Sequence, residues 1–327
     1  MKSWDAPGNV LLDKQFQMTP VVFLTYMSRS GSTLLSARLA EYRAIGVSIE
    51  GRFPDDWTSS KRRAIENRSE LVEYLDILYE SKDFGNWNVS RELLVRALEG
   101  RPFPLRYPDV LVACLDQYFK DRSVEVYVYK AGEHYLYIDS LRALVPGARF
   151  VFVDRNPLAV FNSQKRSLDS KTRKPMRTDP VDFVLNYSEV QDLVRKHRGE
   201  RYFHVVSYES LLADEGREIA ALLDFMGVKD REKDPSKRYY ESIPDGQKHL
   251  HANVKSGNVK RERIDGWLHE LEAGDRWYLQ IVLRRFLKEK GYLSRLEGRL
   301  SARELLRFLV NLARHAYVKI RGFKPRH

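Results

Sequence analysis

Residues 21–38 read VVFLTYMSRSGSTLLSAR: an apolar run, a knot of small polar residues around one arginine, then a second apolar run. The first run, VVFLT (21–25), reads as a buried strand, and TLLSARLAEYR, which opens the second, as a helix. A strand that enters a helix through such a loop has the parts of an anion cradle. The unpaired N–H groups of the first helical turn converge on one point, and the macrodipole favours negative charge there. Gly31 lets the backbone come close to a ligand. Ser30, Ser32 and Thr33 add hydroxyl donors, and Arg29 adds a cation with a forked donor geometry. The expected ligand is a phosphate or sulfate; a helix N-cap by Ser30 or Ser32 with no ligand is the simpler alternative.

Outward from this stretch, strands and helices alternate. VEVYVYK (124–130) reads as a second strand and HYLYIDSLRAL as a helix. RFVFVD (149–154) is a third strand leading into RNPLAVFNSQKRS, and YFHVVSYE (202–209) a fourth, followed by a helix in SLLADEGREIAALLDFMGV. Residues 69–121 read as several helices, broken at Gly85, at Gly100 and at the cluster Pro102, Pro104 and Pro108. The pattern predicts an α/β fold with a mostly parallel central sheet flanked by helices. A chain of 327 residues has room for a sizeable core. One domain over 1–292 with a helical extension over 293–327 is the expected organisation.

Composition narrows the class. Hydrophobic residues at 43% and aromatics at 12% describe a globular chain. No apolar run approaches the roughly 18 residues of a membrane span, and MKSWDAPGNV lacks the apolar core of a signal peptide, so a cytoplasmic protein is expected. The single cysteine, Cys114, forms neither an intramolecular disulfide nor a thiolate zinc cluster. His249 and His251 have no carboxylate or cysteine at ligand spacing, so no metal is expected.

Charge is unevenly placed. Of a formal net +11, residues 284–327 carry most, with 13 Lys/Arg against 3 Asp/Glu. Within this tail, 301–320 has helical periodicity. Arg303, Arg307, Asn311, Arg314 and His315 fall on one side, and Leu305, Leu306, Leu309, Leu312, Ala313, Ala316 and Tyr317 on the other. Such a basic amphipathic helix either caps its own domain or makes peripheral contact with an anionic membrane.

An ATP-type phosphate loop, G-x-x-x-x-G-K-[ST], is the nearest rival for the opening stretch. It needs lysine where the chain has Ser32 and glycine where it has Tyr26. SRSGSTLL with its flanking strand and helix instead resembles the 5′-phosphosulfate-binding loop of the sulfotransferases that use 3′-phosphoadenosine 5′-phosphosulfate (PAPS). Ser28 stands at the family's proline and Ser32 at its first threonine, and both changes keep the donors. FVFVDRNPLAVFNSQKRS resembles the family's second block, in which an arginine after a strand and a serine eight residues on grip the 3′-phosphate. Here these are Arg155 and Ser163, with Pro157 at a favoured first helical position. VVSYESLLADEGREIAALLDFMGV resembles the family's Tyr-Glu-x-Leu segment, which implies Tyr208 near the adenine. HANVKSGNVKRERIDGW (251–267) resembles the Gly-Asn-x-x-Arg loop that closes over PAPS, with Val259 in place of proline. That implies nucleotide contacts from Lys255, Gly257, Asn258, Lys260 and Arg261.

The resemblance implies a phosphate-loop-like sulfotransferase fold. Its nucleotide-binding elements span 20–50, 124–228 and 250–267, and the unmatched helices of 51–121 lie on the acceptor side. It also implies the chemistry: sulfuryl transfer from PAPS to a hydroxyl, leaving 3′-phosphoadenosine 5′-phosphate (PAP), with no metal. Carbohydrate and tyrosylprotein members carry a glutamate where this chain has Glu50 in GVSIEGRF, implying a glutamate base; His134 is the rival base but lacks the Lys-x-His context of the histidine members. Lys130 and Arg29 are the implied cations at the leaving phosphate, although Lys130-Ala131-Gly132 departs from the usual Lys-Thr-Pro. The expected acceptor is a carbohydrate or glycolipid. Two other readings remain open at this point: a divergent nucleotide kinase, and a polyanion-binding protein acting through the basic tail. No aromatic-basic module of a nucleic-acid binder is present, so no nucleic acid partner is expected.

Overall fold

A computed structural model of the protein describes residues 19–51, 57, 61–120, 123–169, 172–234, 239–243, 248, 265–293 and 299–321. The elements run in the order β1 (Val21–Tyr26), α1 (Ser32–Ala40), β2 (Ile45–Val47), α2 (Arg68–Glu80), α3 (Lys82–Gly85), α4 (Arg91–Glu99), α5 (Tyr107–Tyr118) and β3 (Val126–Lys130). A 3-10 turn over Gly132–Tyr137 then leads to α6 (Ile138–Leu144), β4 (Arg149–Asp154), α7 (Pro157–Arg166), α8 (Pro180–His197), β5 (Phe203–Ser207), α9 (Tyr208–Ala213) and α10 (Glu215–Met226). The described chain ends with α11 (Tyr239–Ser242), α12 (Trp267–Glu270), α13 (Ala273–Val282), α14 (Arg284–Glu289) and α15 (Ala302–Arg321).

The apolar runs without polar alternation become strands buried on both faces, as a sheet covered by helices on each side requires. β1 is buried along its whole length. Its alternate residues enter different layers: Phe23 packs with Tyr129, Phe150 and Phe152 on one face, and Val22 and Leu24 pack with Val128, Val151 and Val153 on the other. The five described strands pair in the order β2-β3-β1-β4-β5, every pair parallel. The mostly parallel sheet expected from the alternation is therefore present.

This order places the site. After β1 the chain builds β2 and β3 on one side of it, then crosses to build β4 and β5 on the other. In open parallel sheets such a reversal opens a crevice at the carboxyl ends of the two diverging strands. Tyr26 of β1 pairs with Val153 of β4, so those ends finish level.

Two boundaries differ from the sequence reading for local reasons. β5 stops at Ser207, whose side chain accepts a hydrogen bond from the Ser210 N–H and caps α9, so Tyr208 and Glu209 open a helix rather than finish a strand. The apolar run that follows is two helices, because the Asp214 side chain accepts from the Arg217 N–H and starts α10 afresh.

α15 forms as its periodicity predicts, and it packs on the domain with its polar side inward. Arg307 clamps the fully buried Asp275 of α13 with two hydrogen bonds, Nε to Oδ1 at 2.7 Å and Nη2 to Oδ2 at 2.9 Å. Asn311 reaches the same carboxylate at 3.3 Å. Arg314 pairs with Asp179 at the start of α8, and the Tyr278 hydroxyl meets Nδ1 of His315 at 2.8 Å. No described helix is long and apolar enough to cross a membrane.

Candidate active site

The opening loop turns from β1 into α1 through two residues with positive φ, Arg29 at 74° and Gly31 at 99°. Gly31 is the N-cap of α1, and among the described residues no side chain caps that helix end. The serine-cap alternative therefore fails, and the first-turn amides and the helix dipole are presented to the loop. A Cβ on Gly31 would lie 2.2 Å from Cδ2 of Tyr208, so glycine is required there for space as well as for φ.

Arg29 has no such excuse for a left-handed backbone, a conformation that costs roughly 1–2 kcal/mol in a residue with a Cβ. It is held at both ends. Its Nε donates to the Ser163 hydroxyl of α7 at 3.1 Å, and its carbonyl accepts from Nη1 of Arg155 at 3.0 Å. The two sequence blocks, more than 120 residues apart, are thus joined at the β1/β4 crevice. The Arg155 guanidinium also lies 4.3 Å from the centre of the Tyr208 ring, a cation–π contact. Tyr208 is consequently buried between the loop glycine and the arginine.

Ser30 departs from its expected role. Its hydroxyl donates to the Met27 carbonyl at 2.7 Å and is spent on the turn. Ser32 and Thr33, also buried, open α1 on the side facing β3. There the Lys130 ammonium donates to Thr33 Oγ1 at 3.3 Å and lies 5.5 Å from the Tyr26 ring and 6.0 Å from the Tyr239 ring. Only 5% of Lys130 is exposed. Burial lowers its pKa, and the nearby Glu50 carboxylate opposes that fall.

Glu50 follows β2 and is exposed. Its Oε1 lies 3.5 Å, and Tyr26 Cε2 3.2 Å, from where a Cβ on residue 132 would sit. A side chain at 132 would therefore crowd the Tyr26 ring by a few tenths of an ångström and touch Glu50. The Tyr26 hydroxyl is pushed well above its ordinary pKa by burial first and by Glu50 second, so it stays protonated beside the carboxylate. His134 packs its ring against Phe23, Tyr129 and Tyr137.

Four supporting residues escaped the sequence reading. The Ser48 hydroxyl accepts from the Lys130 amide at 3.1 Å, and the Tyr239 hydroxyl donates to the Ser48 carbonyl at 3.1 Å. Gln164, adjacent to Ser163, donates to the Ser28 carbonyl at 2.8 Å and ties the loop to α7. Glu209, adjacent to Tyr208, accepts from the Asn156 amide at 3.0 Å and fixes the turn that carries Arg155. Gln164 and Glu209 neighbour residues already singled out, which is the one signal that pointed to them. Lys255, Gly257, Asn258, Lys260 and Arg261, and the pair His249 and His251, lie outside the described residues.

Arg29, Arg155 and Lys130, with the uncapped end of α1, make a donor set suited to a ligand bearing more than one anionic group. A carboxylate stands at one edge of that set. Comparison with curated proteins finds none that matches. Among solved structures the chain shares its fold with the sulfotransferase domain from the Synechococcus PCC 7002 olefin synthase, at TM-score 0.51 and 17% identity over 89% of this chain and 99% of that one. It shares it also with the sulfotransferase domain from the curacin biosynthetic pathway, at TM-score 0.52 and 17% identity over 84% and 98% of the two chains. A family model described as the sulfotransferase family matches residues 20–232, which hold the loop, Glu50, Lys130, Arg155, Ser163 and Tyr208, and the chain belongs to that family.

Proposed function

We propose that the protein moves a sulfuryl group from PAPS to a hydroxyl acceptor. The observation that carries this reading is the joining of Arg29, Arg155 and Ser163 at the carboxyl ends of β1 and β4, with Lys130 and Glu50 on the β2/β3 side. One end of that row suits the 3′-phosphate and the other the phosphosulfate, so an adenosine bearing both groups spans it. PAPS supplies the activated sulfuryl group; the chain's residues supply the rest.

In this reading Arg155 and Ser163 hold the 3′-phosphate and Tyr208 supports the arginine's plane. The end of α1, with Ser32 and Thr33, holds the 5′-phosphate. Glu50 takes the proton of the acceptor hydroxyl as its oxygen bonds to sulfur. The bond from sulfur to the bridging oxygen breaks, and Lys130 and Arg29 stabilise the charge left on the phosphate. A buried ammonium suits that task, because the low local dielectric strengthens its attraction for the developing anion. Lys255, Gly257, Asn258, Lys260 and Arg261 complete the nucleotide site in the same reading.

The helices of 51–121 are placed on the acceptor side. The segment follows Glu50 in the chain, its first described helix is α2, and it meets β3 where the Tyr129 hydroxyl donates to the Gly51 carbonyl at 2.7 Å and the Trp87 ring packs edge-on to Tyr129. A carbohydrate or glycolipid hydroxyl is the acceptor class this reading favours. Thermal unfolding with PAP, AMP or ATP with Mg2+ tests the proposal. A ligand at about 100 times its Kd adds about 2.7 kcal/mol to stability, so PAP raises the melting temperature clearly more than AMP does. Equal shifts for PAP and AMP overturn the reading, and a shift confined to ATP with Mg2+ favours a nucleotide kinase.

A further inference from the structure

The outward face of α15 is apolar. Leu305, Leu306, Leu309, Val310, Tyr317 and Ile320 are all exposed, Leu306 by 63% and Ile320 by 85%. At about 100° per residue these positions share one continuous arc with Ala302, Ala313 and Ala316. Arg303 and Arg321 border that arc on one side and Lys319 on the other, all three exposed.

This orientation is fixed. Turning the arc inward would withdraw Arg307 and Asn311 from Asp275, leaving a fully buried carboxylate with Lys165 as its nearest remaining cation, 3.2 Å away. It would also break the Arg314–Asp179 pair. The helix is a platform bolted to the domain by its polar side, not a flap awaiting burial.

We propose that this face docks the protein on an anionic lipid bilayer, with the arc in the acyl boundary and Arg303, Lys319 and Arg321 at the lipid phosphates. Charge selects this occupant. Residues 284–327 hold 13 Lys/Arg against 3 Asp/Glu, so a second copy of the chain would bring two strongly cationic tails together around the same contact. A soluble polyanion would leave the apolar arc in water. An anionic membrane answers both features, as it does for interfacial helices with an apolar arc bordered by cations.

The test is co-sedimentation of the full chain with phosphatidylcholine vesicles and with vesicles in which part of the lipid is phosphatidylglycerol. The wild type binds the anionic vesicles at least about tenfold more tightly than the neutral ones. Leu306→Glu with Leu309→Glu abolishes binding, and Arg303→Gln with Arg321→Gln weakens it on the order of tenfold. Unaltered circular-dichroism melting curves show that both variants stay folded. Vesicle binding that survives the leucine pair overturns the proposal, because attraction would then rest on charge alone, as for a soluble polyanion. It fails equally if the wild type binds neither vesicle, or if light scattering finds a dimer that the leucine pair converts to monomer.

Discussion

Replacing Arg155 with alanine separates two roles that the geometry assigns to one side chain. The guanidinium buttresses the loop, donating to the Arg29 carbonyl at 3.0 Å, and it is the proposed grip on the 3′-phosphate. A hydrogen bond from a charged donor contributes about 1.5–3 kcal/mol, and a charge-assisted, forked bond to phosphate stands at the upper end of that range or above it. Losing the grip therefore weakens PAP binding by about 2–4 kcal/mol, or roughly 30- to 1000-fold. Losing the buttress acts on any ligand of the loop, and costs about 1 kcal/mol because Ser163 and Gln164 still hold Arg29 and Ser28. AMP lacks the 3′-phosphate and reports the buttress alone. Titration calorimetry of both nucleotides against wild type and Arg155→Ala forms a cycle in which the buttress cancels and the coupling is the grip, about 2–4 kcal/mol. Equal losses for PAP and AMP refute the reasoning, since Arg155 would then only shape the loop and the 3′-phosphate would bind elsewhere.

Other consequences are as specific. Glu50→Gln keeps the shape of the site and removes the proposed base, so turnover falls by about 100-fold or more while PAP affinity stays nearly the same; undiminished turnover in a sulfate-transfer assay removes Glu50 from the chemistry. Gly31→Ala drives a Cβ to 2.2 Å from the Tyr208 ring at φ 99°, costing about 1–3 kcal/mol of stability and all measurable PAP binding; a variant with wild-type melting and affinity would show that the loop is not built around that contact. Burial lowers the pKa of His197, His204 and His315 below 6.5. In the unfolded chain these imidazoles protonate first as pH falls, so the stability tied to their neutral forms is whole above about 6.5 and is lost as pH drops through the folded values. The melting temperature should decline below pH 6.5, and His315→Gln should make that decline shallower; an identical slope in the variant would mean that the Tyr278–His315 contact has no part in it.

What could be read from the residues alone divides along a physical line. β1 and β4 were legible because strands buried on both faces must be continuously apolar, and the polar residues after them mark where the sheet ends. The contact of Arg29 with Ser163 was not legible, since it depends on β4 lying next to β1, a choice of strand order that neither run records. Ser30 misled for a local reason: a hydroxyl three residues after a carbonyl in a tight turn bonds back to it, which composition cannot distinguish from a hydroxyl offered to a ligand. α15 shows the limit most plainly. Its periodicity fixed two faces, and the habit of burying the apolar one pointed the wrong way. Asp275 decides the matter from 32 residues away, and in AGDRWY it reads as an ordinary acid in a helix's first turn. Once that carboxylate is completely buried, breaking its hydrogen bonds with Arg307 and Asn311 costs several kcal/mol, and Phe308 and Val318 pack against the core from the same side of the helix. The cationic face therefore turns inward, and the leucines are left for another surface.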